Sequence, residues 1–307
     1  MALRQVGVVN LPANRTEDGL DHADVLWRTH TAYIAHTSND ALDVVDLSRF
    51  EYLRSIPAFK GVAGALVSQE REMVFTSNRG EETVSYFPLS QEESRRTVAV
   101  GGRPNGLAFD PQRGILLAAS IGKLGGAPGL TVSLVDVARD RLAADIPVAG
   151  RTRWAMFDPV SDRFYVNIRE PAQIAQLDPA APNDRVEAIP IPATGPHGLG
   201  LDPQAGRLFC ACDEGRLILV DLRRGEVKDA AALSGPPDVV YFNSQRRHLY
   251  VAIGDPGVID VFDTDSMTKI ETVSTEPGAG TLAFDPTANL VCAVLQDSHR
   301  LLCFSDD

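Results

Sequence analysis

The 307-residue chain sets 29 Lys and Arg against 41 Asp and Glu, a formal charge of -12 with a pI near 5.0. That balance keeps a protein soluble and excludes a globally basic face for nucleic acid or anionic membrane. A hydrophobic content of 44% permits a large core, yet no stretch approaches the ~20 apolar residues of a membrane span.

The N-terminus has no basic segment leading into a long apolar run, and Val6–Leu11 is too short for a signal-peptide core. A cytoplasmic location is therefore expected. Gln5–Leu11 reads as a short strand and Pro12–Gly19 as a polar turn. From Asp21 the chain repeats. Gly101–Asp110 (GGRPNGLAFD) combines a turn, a short apolar strand and an Asp opening a second turn. Echoes stand at Arg151–Pro159, Gly195–Pro203, Pro236–Ser244 and Gly278–Pro286, with weaker copies starting at Asp21 and Val62. The equivalent positions are Asp21, Val62, Pro104, Thr152, Pro196, Pro237 and Ala279. A period in the low forties with several short strands per unit is the signature of a β-propeller blade.

The reading is a single all-β domain over residues 1–307, a seven-bladed propeller of four-stranded antiparallel blades. Unit one places strands near Ala23–Trp27, Ala32–His36, Leu42–Asp46 and Tyr52–Ile56. Unit three is the longest, its extra residues falling in the Gly-rich loop Gly122–Gly129, and unit four carries a Pro-rich excursion at Pro171–Pro182. Unit seven has room for only three strands. Gln5–Leu11 supplies the fourth by pairing with Leu301–Phe304, which removes an open edge.

Asp110, Asp158, Asp202 and Asp285 follow the inner strands. Asp46, Asp136, Asp178, Asp221 and Asp263 end the third strands. Both sets are read as turn carboxylates. Trp27 is read as packing. Cys210, Cys212, Cys292 and Cys303 lack zinc-type spacing and are read as buried free thiols. His30, His248 and His299 fall in turns or surface loops and receive no role.

The blade unit resembles the YVTN-type β-propeller repeat. The motifs that carry the likeness are PNGLAFDP at the inner strand, VFTSN (Val74–Asn78) and YVN (Tyr165–Asn167) at the second, and LDVVDL (Leu42–Leu47) and VSLVDV (Val132–Val137) at the third. The resemblance covers the whole chain and implies a binding scaffold. The inner-strand motif is also similar to that of senescence-marker-type gluconolactonases, which carry metal ligands just before inner strands. Virginiamycin B lyase, a seven-bladed ring with a channel-mouth metal, offers a further likeness.

These likenesses single out one position per unit, at the entry to the inner strand: His22, Ala63, Asn105, Arg153, His197, Asp238 and Gly280. Loops between second and third strands open on the same face, adding His36, Arg79, Arg169 and Asp213 among others. His22, Asn105, His197 and Asp238 could supply nitrogen and oxygen ligands to a divalent metal, Zn, Mn, Ca or Mg. His22 and His197 could act as acid or base. Arg153, Asn105 and His36 could hold a substrate, Arg153 by clamping a carboxylate. A cation beside Arg153 needs a carboxylate or substrate between the two charges. The first functional reading is thus a metal-assisted hydrolase or lyase, lactonase-like, on a small polar or anionic molecule. The alternative is a non-catalytic scaffold for a peptide or protein partner. A nucleic-acid partner fits poorly with the charge.

Overall fold

The computed structural model describes residues 2–122, 130–181 and 186–307. Seven four-stranded antiparallel sheets follow one another around a ring, six of them laid out in chain order from inner to outer strand and the seventh taking its outer strand from the N-terminus. The inner strands are Ala23–Leu26, Val62–Ser68, Pro104–Asp110, Thr152–Asp158, Pro196–Asp202, Pro237–Asn243 and Thr281–Asp285. The second and third strands of each blade are almost wholly buried, because neighbouring blades cover both faces. Outer strands such as Glu51–Pro57 are mostly exposed.

The ring closes as the sequence predicts, with wider bounds. Leu3–Asn10 pairs antiparallel with Arg300–Asp306, from Leu3 opposite Asp306 to Asn10 opposite Arg300. The register slips between Gln5 and Gly7. A Cβ at Gly7 would run into the Phe50 ring of blade one, so glycine there lets the closing strand pack against its neighbour.

The turn carboxylates behave as read. Asp110 accepts the backbone N–H groups of Gln112 and Arg113, and Asp285 that of Thr287. They also reach across blades. Arg113 bridges Asp110 and Asp162, Arg247 bridges Asp202 and Asp265, and His30 Nδ1 meets Asp285 at 2.6 Å. His248 opens a strand rather than a turn and is held to Asp306 at 2.7 Å.

Two readings are corrected. Cys292 and Cys303 are joined by a disulfide. They stand directly opposite each other on adjacent strands of blade seven, with Cα atoms 4.1 Å apart, a proximity only the strand register creates. Cys210 and Cys212 are the buried free thiols. Trp27 lies in a short 3-10 turn and is exposed rather than packed. The Gly-rich loop 123–129 and residues 182–185 of the Pro-rich excursion lie outside the described residues. Among the described residues, no helix is long and apolar enough to cross a membrane.

Candidate functional site

The ring positions converge because of small residues two places after the repeat marker. In the extended inner strand, Gly64 lies 2.6 Å, by its hypothetical Cβ, from the Asn105 carbonyl of the next blade. Gly106 stands in the same way 2.5 Å from the Arg153 carbonyl, and Gly198 closes on that of Asp238. A side chain at any of the three would push the neighbouring blade away. Glycine thus draws Asn105, Arg153 and Asp238 inward to one opening. Blade four places Trp154 at the equivalent point, and its indole projects towards the channel, 4.5 Å from the His22 ring and edge-on to Tyr241.

The structure brings five of the six named residues to this mouth. His197 donates from Nδ1 to Asp213 at 2.7 Å and from Nε2 to Asp238 at 3.2 Å. Burial opposes its charge, but Asp238 and the hydrogen bonds to both carboxylates push it up to about 9, so it is an imidazolium at neutral pH. Burial likewise opposes ionisation of Asp213 and Asp238, and His197 outweighs it, holding both below the usual carboxylate range. His22 differs. Burial against Trp154 lowers it, although Asp21 and Asp238 work the other way, so it is neutral. Its Nε2 stands 3.4 Å from Asp21. Asn105 is buried, and its Oδ1 accepts from Arg79, which also pairs with Asp21 at 2.9 Å.

His36 takes no place in the mouth. It is fully buried in blade one, with Nδ1 at 2.7 Å from Asp43 and Nε2 at 2.9 Å from Asn14. Both nitrogens are engaged, and the ring fastens the polar N-terminal turn to the blade.

Sequence reasoning missed two members, Arg103 and Arg151, each directly before the repeat marker of its blade. The signal was there: cations occupy that position in adjacent units. With Arg79, Arg153 and Arg169 they form a cluster over blades two to four. Burial, and then Arg169, Arg79 and Arg103, lower Arg151. Burial and Arg151 lower Arg153. Guanidinium groups stay protonated in proteins, so shifts of this sign report cations that are first partly buried and then set beside like charges. Five arginines and charged His197 face Asp21, Glu170, Asp213 and Asp238, a local positive surplus in a protein of charge -12. Two guanidinium atoms, Arg79 Nε and Arg153 Nε, are buried with no hydrogen-bond partner among the described residues. Arg151, Arg169, Glu170, Thr194, Gly195 and Asp213 also border an open cleft of about 370 Å³ on this face. Among the described residues, no group of three or more His, Cys, Asp or Glu side chains is arranged to hold a metal ion.

Comparison with solved structures finds a similar architecture in the Kuenenia stuttgartiensis hydrazine synthase. The TM-score is 0.80 at 13% identity, over 93% of this chain and 95% of that one. The likeness is one of fold. No protein-family model matches the chain, and no curated protein matches it in sequence. The seven-bladed ring therefore stands on topology and on this structural likeness, while the chemistry has to be read from the mouth itself.

Proposed function

We propose that the chain is a YVTN-type propeller that binds a small oxyanion, a carboxylate or phosphate, at the arginine-lined mouth of its channel. The observation that carries this reading is the pair of buried, unpartnered Nε atoms on Arg79 and Arg153 inside a cationic surplus. A buried donor without an acceptor costs about 1–3 kcal/mol, and more when charged. An oxyanion that draws the two side chains slightly outward would supply the missing acceptors, suit the guanidinium fork and relieve the repulsion among the arginines.

The metal-assisted hydrolase or lyase keeps one favourable observation: Asp238 lies 3.2 Å from His197 and near enough to His22 for its charge to act on that ring. Against it, an imidazolium with both nitrogens donating to carboxylates offers no lone pair to a metal. A divalent cation would also add to charge already in excess.

Thermal unfolding separates the two. Sodium phosphate should raise the melting temperature above that in sodium chloride of equal ionic strength, by mass action on the folded state, and Arg153→Met should lose the rise. If Zn or Mn raises it instead, and His197→Ala removes that rise, the metal reading replaces this one.

A further inference from the structure

Below the mouth the channel contains a cavity of about 330 Å³. Its walls come from the inner strands and are largely apolar, with Leu66, Phe109, Met156, Phe157 and Val240 among them. His22 and Trp154 line it as well, so the cavity and the cationic mouth share a wall. The two compartments differ in how their polar groups are satisfied. Within the cavity, Asp24 accepts the backbone N–H of Val25 and that of Val67, both at 2.8 Å. Its carboxyl is occupied in sewing blade one to blade two. The Tyr241 hydroxyl donates to the Ala23 carbonyl at 2.9 Å. Ser68 and the exposed Glu70 stand where the inner strand Val62–Ser68 leaves the cavity, whereas the mouth holds guanidinium donors without acceptors among the described residues.

We infer that the ligand of the mouth is an amphipathic anion, its oxyanion head on the arginines and its apolar body in the channel cavity. This rests on the anion reading above and adds the chemical class of the rest of the molecule. A cavity lined by apolar side chains gains little from water but takes hydrocarbon readily. At ~30 Å³ for each water-sized share of liquid volume, the space suits a body of roughly ten heavy atoms.

Calorimetric titration of the full chain with acetate, butyrate, hexanoate and octanoate tests this without any variant. Affinity should climb about fourfold per added methylene until the cavity is full, with a heat-capacity change that grows more negative along the series. Leu66→Trp, which fills the cavity, should abolish the climb and leave acetate and phosphate binding unchanged. Arg153→Met should weaken every member of the series, phosphate included. If octanoate binds wild type no more tightly than acetate, or Leu66→Trp binds octanoate like wild type, the amphipathic assignment is overturned. The phosphate titration then reports independently whether the mouth binds anions at all.

Discussion

The two ends of the channel use the same residue types to opposite effect. At the end where inner strands exit, the turn aspartates are consumed. Asp110 and Asp202 accept turn N–H groups and an arginine apiece, Arg113 and Arg247, and those arginines reach on to Asp162 and Asp265. At the mouth, arginines outnumber carboxylates, and two buried nitrogen atoms are left without acceptors among the described residues. Charge that is fully paired holds blades together. Charge left over, in a concave place, is available to a ligand.

The largest effect is expected where the two ends fail together. Deleting residues 1–12 removes the closing strand and exposes the edge of Arg300–Asp306. The truncated protein should lose its cooperative transition, and melting at the wild-type temperature would reject the closure. Next comes damage to the paired end alone. Asp202→Ala strips the turn and leaves Arg247 without its buried partner, a loss of about 2–3 kcal/mol in urea denaturation with anion affinity untouched. Arg153→Met should do the reverse. Phosphate affinity should fall at least tenfold, as expected for a lost charge-assisted contact of ~1.5 kcal/mol or more, while stability holds or rises slightly as repulsion eases.

A finer test uses pH. His197 has its proton affinity raised from 6.5 to about 9 in the fold. Its contribution to stability is fully present below 6.5 and is lost as pH rises through 9. Urea stability should therefore decline between those values, phosphate affinity should decline with it, and His197→Gln should flatten both slopes. The smallest effect sharpens only the chemistry of the core: denatured, unreduced protein should titrate two thiols, Cys210 and Cys212, rather than four.

Much of the architecture was legible because it is periodic. The repeat marker located every blade, and a short seventh unit demanded a strand from elsewhere, which Leu3–Asn10 provides. The ring positions were legible for the same reason, since equivalent places in a repeat lie at equivalent places in the ring. What the period hides is the partner across a blade or between strands. His36 looked like a ligand because its loop opens at the mouth, yet Asp43, seven residues on, and Asn14 turn it inward. Cys292 and Cys303 pair through a register that spacing alone does not show. Arg103 and Arg151 matter as a group, and their crowding belongs to the curvature of the ring.

The closing strand also sets a clock. Asn10 leaves the ribosome about 290 residues before its partner Arg300, which at about 5–20 residues per second is a wait of roughly 15 to 60 s. Throughout that interval Leu3–Asn10 stays unpaired, while the blades that will flank it are synthesised. Its apolar Leu3, Val6, Val8 and Val9 make it a strand that needs shielding until the last blade arrives. Production of this protein in a cell should depend more on what holds that segment during synthesis than on the stability of the finished ring.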